Sequence, residues 1–392
     1  MHHRNITRLL CLFIALTLIS GSAFGATARK RRTHRKASAK QPQTAVVAAH
    51  RPTSHLSKLP KKRYRRSMWD APTFADSTEG DSVDGEDLVV RRAAVQALGP
   101  YNGSVVAVDA QTGRLLTIVN QKLAFKSGFQ PCSTIKIIAA LAGLNEGLID
   151  QNTMFRLSRR RSIDLTDALA HSNNAFFSSV GYRLGYDKII RYAQLFGLGE
   201  KAGLNLDGEQ PGTLASEPPN DGVGMMTSFG EGIYMTPLEL AAVMTSVANG
   251  GTLYYLQHPR SQDDIEKFVP RVKRQLDIQQ WLPSIRPGMM GATEYGTARR
   301  VSAVSNDPIF GKTGTCTDSR SPTHLGWFGS YNELGNNRLV VVVLLTGGRP
   351  VNGPVASGIA GAVYKNLSDE KYLAEARPAA PLSIISTQSC CK

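Results

Sequence analysis

Hydrophobic positions follow two different spacings along the chain, and they predict a sheet built from both ends of a folded region. Residues 104–109 and 114–119 are β-rich runs on either side of a turn that contains glycine, which predicts a hairpin. The stretches PIFGKTGTC and HLGWFGSY and the apolar run at residues 339–345 predict three more strands far along the chain. Five strands therefore bracket the middle of the chain.

The middle of the chain has helical spacing. In residues 134–145 the apolar residues Ile137, Ile138, Leu141 and Leu144 form one stripe, as expected for a helix that packs against a core. The same kind of spacing predicts further helices at residues 164–170, 175–184 and 187–196.

The stretch MTPLELAAVMTSVANGG gives the clearest helix signal. Thr236 is a suitable N-cap, Pro237 occupies the first helical position and Glu239 completes a capping box. A last helix is predicted in GPVASGIAGAVYKNL, after the final strand.

Together these elements predict an α/β fold of the α+β type. A five-stranded, mainly antiparallel sheet is flanked by helices, and a mostly helical subdomain is inserted between its second and third strands. The cleft where the insert meets the sheet is the expected place for chemistry. The chain has 392 residues, which is enough for one or two domains.

The N-terminal segment indicates export. Arg4 and Arg8 precede an eleven-residue apolar run, and small residues follow, which predicts a signal peptide over residues 1–25. The run is shorter than the roughly 20 residues that span a bilayer, so cleavage is favoured over a retained membrane anchor. In both cases the protein is expected in the periplasm or cell envelope.

The formal charge of +15 is concentrated before the folded region. Residues 26–91 are predicted to be a disordered basic arm followed by an acidic linker at 76–87, because few large apolar residues are available to form a core. Residues 29–66 are a candidate tether to an anionic wall polymer or membrane surface, and a solvated linker is the alternative. No nucleic acid partner is expected for an exported chain. The folded domain is predicted at 92–372, before a flexible tail at 373–392.

Ser133 and Lys136 are three positions apart at the start of a predicted helix, so their side chains share a face. A serine hydroxyl becomes a nucleophile when a nearby base takes its proton. A lysine can be that base if burial or a neighbouring cation lowers its pKa. An S-x-x-K pair alone is weak evidence, because it occurs by chance in many chains.

Two further motifs strengthen the prediction. AHSNNAFF supplies Ser172 and Asn174 between helical segments, and FGKTGTC supplies Lys312, Thr313, Gly314 and Thr315 on a strand. The S-x-x-K, S-x-N and K-T-G set in this order is the signature of penicillin-binding proteins and class A β-lactamases.

Residues 100–367 resemble the transpeptidase domain of penicillin-binding proteins, on these motifs and on RLGYDKIIRYAQLFGLGEKAGLNLDGEQPG and SFGEGIYMTPLELAAVMTSVANGG. The resemblance implies a serine acyltransferase that acts on D-Ala-D-Ala-terminated stem peptides of peptidoglycan, as a D,D-transpeptidase or D,D-carboxypeptidase. It also implies acylation by penicillins and other β-lactams. No cofactor and no metal are implied, and His171, His258 and His324 have no ligand spacing.

The resemblance also implies catalytic roles. Ser133 would be the acylated nucleophile and Lys136 its base, while Ser172 would relay a proton towards the leaving group. Lys312 would add positive potential to the site.

Substrate binding is implied for the remaining motif residues. Asn174 would bind the peptide, and Thr313 and Thr315 belong to the strand that receives it. Thr315 would hold the terminal carboxylate, and its N–H and that of Ser133 would form the oxyanion hole. Gly314 would leave room for a substrate backbone that adds to the strand edge.

The chain departs from the family pattern in two respects. Neither a pedestal nor a glycosyltransferase module is recognisable before the domain, which predicts a stand-alone catalytic domain. Cys132 and Cys316 directly flank the first and third motifs and could lie on opposite walls of one cleft. Buried free thiols are favoured over a disulfide for this pair.

Two other functions remain open. PCSTIKI is similar to class D β-lactamases, but their second motif ends in valine where this chain has Asn174, and no Y-G-N sequence occurs. A β-lactamase also needs a carboxylate that deacylates the enzyme, and Glu231 is the candidate for this role. The second alternative is a non-catalytic penicillin sensor or wall-binding protein, which the intact motif set disfavours.

Overall fold

The computed structural model describes residues 68–372 except 205, 306 and 334–337. The predicted signal peptide, the basic arm up to residue 67 and the predicted tail at 373–392 lie outside the described residues. Within the described part of the chain, no helix combines the length and the apolar character needed to cross a bilayer.

The strands of the described residues are numbered in chain order. They are β1 (Gly103–Asp109), β2 (Arg114–Val119), β3 (Phe155–Ser158), β4 (Arg161–Ile163), β5 (Gly203–Leu204), β6 (Thr213–Leu214), β7 (Ile233–Tyr234), β8 (Thr252–Gln257), β9 (Arg271–Gln275), β10 (Ile309–Thr317), β11 (His324–Asn332) and β12 (Leu339–Gly347).

The helices are numbered in the same way. They are α1 (Leu88–Leu98), α2 (Gln121–Ala124), α3 (Lys136–Asn145), α4 (Leu165–Ala170), α5 (Asn174–Leu184), α6 (Tyr186–Leu195), α7 (Val223–Phe229), α8 (Pro237–Asn249), α9 (Gln262–Glu266), α10 (Leu282–Glu294) and α11 (Gly353–Asp369), with 3₁₀ helices at Cys132–Ile135 and Gln279–Trp281.

The main sheet has the strand order β10-β11-β12-β1-β2-β8-β5, and β9 pairs with β8. The five predicted strands are present and pair antiparallel, which confirms the hairpin and the central sheet. The predicted number of strands is too small, because β8 from the helical insert lies parallel to β2 and extends the sheet. The insert and the sheet are therefore joined by backbone pairing as well as by side-chain packing.

Both faces of the sheet are covered by apolar layers. On β1, Val106 and Val108 belong to the core shared with the inserted helices, while Val105 and Ala107 belong to a second core with α1 and α11. This is the two-residue alternation of a strand. The sheet is therefore packed on both faces, and β10 lies at one of its edges.

The acidic segment before α1 is part of the fold, which corrects the predicted linker. Asp81 and Glu86 both form ion pairs with Arg91, at 2.7 and 3.2 Å. Glu86 also accepts hydrogen bonds from Thr117 Oγ1 and from the backbone N–H of the following residue on β2. Asp87 caps α1, so the domain begins before residue 92. Two of the charges that resembled a solvated linker, Asp81 and Glu86, are therefore paired with Arg91, and Glu86 is also anchored on β2.

The predicted capping box of α8 is confirmed. The Thr236 side chain accepts from the Glu239 N–H, and the Glu239 carboxylate accepts from the Thr236 N–H. Glu239 is 1% exposed and also accepts from the N–H groups of Gly199 and Gly212. One buried carboxylate thus joins two loops of the insert to the start of α8.

Candidate active site

Ser133 lies on a 3₁₀ turn that directly precedes α3, so the predicted helix over 134–145 begins two residues later, at Lys136. With three residues per turn, positions i and i+3 lie directly above one another. Lys136 Nζ is 3.0 Å from Ser133 Oγ. Lys136 is fully buried, and Ser133 is 9% exposed. The S-x-x-K spacing therefore produces the direct contact that the sequence predicts.

The loop between α4 and α5 brings the second motif to the same ammonium group. Lys136 Nζ is 2.8 Å from the Ser172 carbonyl oxygen, 3.0 Å from Ser172 Oγ and 2.6 Å from Asn174 Oδ1. Ser172 has φ of 56°, in the left-handed region that a non-glycine residue rarely adopts. This backbone turn lets one residue present both its carbonyl and its hydroxyl to Lys136.

The partners of Lys136 fit a neutral amine. Such an amine has two N–H donors and one lone pair. The Ser172 carbonyl and Asn174 Oδ1 are both acceptors, so they can take the two N–H groups. The lone pair is then left for a hydroxyl, and Ser133 Oγ and Ser172 Oγ both lie 3.0 Å away. The Ser133 proton can reach it by turning from the Ser228 carbonyl, which lies 3.4 Å from Ser133 Oγ. This arrangement can remove a proton from the serine.

The charge state agrees with this geometry. Burial, followed by the charge of Lys312, lowers the pKa of Lys136 well below its usual range. Burial also lowers the pKa of Lys312, to about 7. Lys312 Nζ donates to the carbonyl of Thr313 at 3.0 Å. Two fully buried lysines therefore lie in one site, and the charge of Lys312 disfavours that of Lys136.

The third motif lies on β10, at the edge of the main sheet. Successive side chains on a strand point to opposite faces. On one face, the Thr313 hydroxyl lies 2.6 Å from that of Thr297, and Thr315 Oγ1 accepts from the Gly353 N–H at 2.7 Å. The structure thus groups the Thr313 and Thr315 hydroxyls at the beginning of α11.

Gly314 has a different structural reason from the predicted one. A Cβ atom built on Gly314 would lie 2.8 Å from the carbonyl oxygen of Pro131 and 3.1 Å from Cβ of Trp327. The absent side chain therefore lets β10 approach the segment that carries Ser133. Space for a substrate backbone is not needed to explain this glycine.

Cys132 and Cys316 form a disulfide with a Cα–Cα distance of 5.6 Å, so the expectation of free thiols is wrong. The two residues lie on facing elements, the 3₁₀ turn and the end of β10. The two cysteines are 184 residues apart along the chain, so the sequence alone does not show that they are close in space.

Three residues near the site were not predicted. The Ser133 hydroxyl donates to the Ser228 carbonyl at 3.4 Å, Lys136 Nζ lies 5.6 Å from the centre of the Phe177 ring, and Thr297 contacts the third motif. Phe177 follows the second motif within AHSNNAFF, and Ser228 begins the stretch SFGEGIYMTPLELAAVMTSVANGG that carries part of the resemblance, whereas nothing in the sequence connects Thr297 with the site. Glu231 accepts from Gln130 Nε2 at 3.2 Å.

Curated relatives of the chain include peptidoglycan D,D-transpeptidases, penicillin-binding proteins and a sporulation protein. Stage V sporulation protein D of Bacillus subtilis is 28% identical over 313 residues, which cover 69% of this chain and 48% of that protein. The peptidoglycan D,D-transpeptidase FtsI of Escherichia coli is 26% identical over 200 residues, 43% of this chain and 33% of that protein. The chain thus spans less than half the length of these two relatives.

Solved structures show the same fold. The D,D-transpeptidase domain of a peptidoglycan glycosyltransferase from Eggerthella lenta has a TM-score of 0.59 at 21% identity, covering 72% of this chain and 82% of that one. The transpeptidase domain of penicillin-binding protein 3 from Burkholderia pseudomallei has a TM-score of 0.62 at 18% identity, covering 76% and 98%.

The family model of the penicillin-binding protein transpeptidase domain matches residues 103–369, which include all three motifs and the strands and helices that carry them. The chain belongs to the penicillin-binding protein transpeptidase domain family.

Proposed function

We propose that this protein is a serine acyltransferase that acts on D-Ala-D-Ala-terminated stem peptides of peptidoglycan, as a D,D-transpeptidase or D,D-carboxypeptidase. The observation that carries the proposal is the contact between Lys136 Nζ and Ser133 Oγ at 3.0 Å, with the other two Lys136 hydrogen-bonding positions occupied by acceptors. Membership of the family supports the substrate class.

In the proposed reaction, Ser133 Oγ attacks the carbonyl carbon of the penultimate D-alanine while Lys136 takes the hydroxyl proton. Ser172 Oγ, 3.0 Å from Lys136 Nζ, passes a proton to the leaving amine of the last D-alanine. The acyl-enzyme is then cleaved by an amine in transpeptidation or by water in hydrolysis. The N–H groups of Ser133 and Thr315 would stabilise the oxyanion, and losing one such donor typically costs about 3 kcal/mol.

Substrate binding is assigned to the edge strand and the second motif. Thr313 and Thr315 lie on the same strand as Lys312, and together these groups would hold the terminal carboxylate. Asn174 lies at the start of α5 and would contact the peptide. Gly314 brings the strand close to Ser133. A substrate that pairs with the free edge of β10 would place its carbonyl at Ser133.

The alternative functions are not favoured. Among the described residues, no carboxylate hydrogen-bonds Ser133 or Lys136, which disfavours a β-lactamase whose deacylating carboxylate contacts these two residues directly. The intact contacts among Ser133, Lys136, Ser172 and Asn174 also argue against a non-catalytic penicillin sensor.

The test combines a labelled penicillin with a D-Ala-D-Ala pentapeptide, using the purified full chain. We expect an adduct on Ser133 that persists for hours, because no carboxylate of the described residues hydrogen-bonds Ser133 or Lys136, and release of D-alanine from the peptide. An amide-linked product that needs an added amine would identify a transpeptidase. Rapid penicillin turnover would indicate a β-lactamase, and labelling without D-alanine release would indicate a sensor.

The proposed location is the cell envelope outside the cytoplasm, in the periplasm if the organism has one. The family acts on peptidoglycan, and the predicted signal peptide over residues 1–25 would direct export. If the signal is cleaved, the protein is released into this compartment. If the signal is retained, the N-terminal segment attaches the protein to the membrane.

We also propose that residues 29–66 bind an anionic wall polymer or membrane surface. Residues 1–69 contain sixteen Lys or Arg residues and no Asp or Glu. Binding to anionic vesicles or wall polymer should weaken steeply with salt and disappear on deletion of residues 29–66. Turnover of a small soluble substrate should be unchanged by the deletion. Binding that survives the deletion would leave only a linker role for this segment.

A further inference from the structure

We propose that the Cys132–Cys316 disulfide positions the two backbone N–H groups of the oxyanion hole, so that acylation of Ser133 is fast only in the oxidised protein. This inference rests on the proposed function, which assigns those two donors to Ser133 and Thr315. It adds two positioning residues to the site, since neither cysteine is expected to touch the substrate.

The disulfide connects the neighbours of both donors. The Ser133 N–H belongs to the peptide unit that begins with the Cys132 carbonyl, so a rotation of the Cys132 backbone turns that N–H. Cys316 directly follows Thr315 on β10. The Cα atoms of the two cysteines are 5.6 Å apart. The covalent bridge therefore spans the gap across which both N–H groups would have to point at one oxygen atom.

The backbone at Cys132 needs to be held in place. Its φ of 51° lies in the left-handed region, which is unfavourable for a non-glycine residue and persists only where the surroundings enforce it. Cys132 is fully buried, and its side chain is committed to the disulfide. Release of that side chain removes a constraint from a strained residue next to the nucleophile.

The side-chain hydrogen bonds to Gln130 attach the chain before Cys132. Trp327 Nε1 donates to the Gln130 carbonyl at 2.9 Å, and the Gln130 N–H donates to Asp318 at 3.2 Å. Gly314 allows β10 to approach Pro131. These contacts fix residues 130 and 131, whereas the disulfide acts at the residue that sets the direction of the Ser133 N–H.

The other end of the bridge also needs support. β10 is an edge strand that pairs with β11 on one side. Its last residues, from Thr315 onward, are more exposed than those before them. A strand edge of this kind is held by hydrogen bonds on one side only. The disulfide supplies a second attachment across the cleft, at the point where the substrate would bind.

Reduction by a dithiol transfers two electrons and two protons to the disulfide and leaves two thiols, while the dithiol becomes a cyclic disulfide. The sulfur atoms can then separate, and the distance between the N–H groups of Ser133 and Thr315 is no longer fixed by the bridge. A displacement of about 1 Å in an active site can cost about a hundredfold in rate. We therefore expect acylation to become about ten- to a hundredfold slower.

The experiment compares the full chain in its oxidised and reduced forms, with the state of the 132–316 bridge verified by peptide mass mapping. Penicillin acylation is separated into the non-covalent dissociation constant and the acylation rate constant. We expect only the rate constant to fall, because the oxyanion forms after binding. Affinity for a boronic acid that forms a tetrahedral adduct on Ser133 should fall in parallel, and reoxidation should restore both.

Two variants separate positioning from stability. Cys132→Ala/Cys316→Ala should acylate slowly with and without the reductant. Val90→Ala, which shortens a buried side chain of the second apolar core, should lower the melting temperature without slowing acylation.

Each outcome decides the inference. Equal acylation rates in the oxidised and reduced proteins would overturn the inference and leave the proposed function intact. Failure of the oxidised wild type to acylate would overturn the proposed function and the inference with it. Unfolding of the reduced chain at room temperature would also overturn the inference, because the bridge would then hold the whole fold instead of two donors.

Discussion

Replacing Ser133 with alanine is expected to abolish covalent labelling by penicillin and the release of D-alanine while the fold remains intact. The change removes one oxygen atom from a side chain that is 9% exposed. That oxygen contacts Lys136 Nζ at 3.0 Å and the Ser228 carbonyl at 3.4 Å, so the loss of stability should be small. The activity should vanish because the substitution removes the oxygen atom that would be acylated.

Intact-mass spectrometry after exposure to penicillin provides the measurement. Ser330→Ala is the control, because Ser330 is buried on β11 and donates to the Val341 carbonyl, away from the cleft. The control variant should be labelled like the wild type. A penicillin adduct on Ser133→Ala would show that another residue is the nucleophile, and Ser172 would be examined first.

The central sheet and the motif residues could be predicted because their signals are local. β1, β2 and β12 are short apolar or alternating runs, and α8 carries a proline and a capping box at its start. The contact between Ser133 and Lys136 follows from a spacing of three residues. Each of these features depends on neighbours within a few positions, which a sequence displays directly.

Features that depend on distant partners could not be predicted. β8 joins the sheet through a parallel pairing with β2 that rests on residues far apart in sequence. The acidic residues before α1 resemble a linker until Arg91 and β2 supply partners for Asp81 and Glu86. A charged segment is solvated or structured according to partners that composition does not reveal.

The disulfide shows the same limit within the active site. The sequence places Cys132 and Cys316 beside the first and third motifs, which suggests facing walls, but it does not give a Cα–Cα distance. The contact of Thr297 with Thr313 is similar, since a threonine after a helix carries no chemical signature. Both contacts, the disulfide and the Thr297–Thr313 hydrogen bond, form because β10 packs closely against its neighbours.

Acylation of Ser133 is expected to rise with pH through an apparent pKa near or below neutrality and to fall again at higher pH. Burial and the charge of Lys312 lower the pKa of Lys136, so the amine becomes a base at unusually low pH. Burial lowers the pKa of Lys312 to about 7, and above that pH the positive charge next to the proposed carboxylate site is lost. The two apparent pKa values belong to the coupled pair of lysines.

The two limbs of the profile can be assigned by comparing kinetic constants. The second-order acylation constant reports the free enzyme, and the saturated rate constant reports the complex. A bound carboxylate favours the charged form of Lys312, so the descending limb should move to higher pH in the complex. A descending limb at the same pH in both constants would argue against contact between Lys312 and the carboxylate.

Lys136→Arg is expected to reduce the acylation rate about a hundred- to ten-thousandfold, the range typical of a lost general base. A guanidinium group stays protonated and cannot accept the serine proton. Lys136→Met should be similarly slow, because it keeps the length of the buried side chain and removes the amine. Lys365→Arg, on the exposed end of α11, is the matched control and should acylate at the wild-type rate. If Lys136→Arg acylated within about tenfold of the wild type, Lys136 would act only through its charge, and the base would have to be sought at Ser172, whose hydroxyl lies 3.0 Å from Lys136 Nζ.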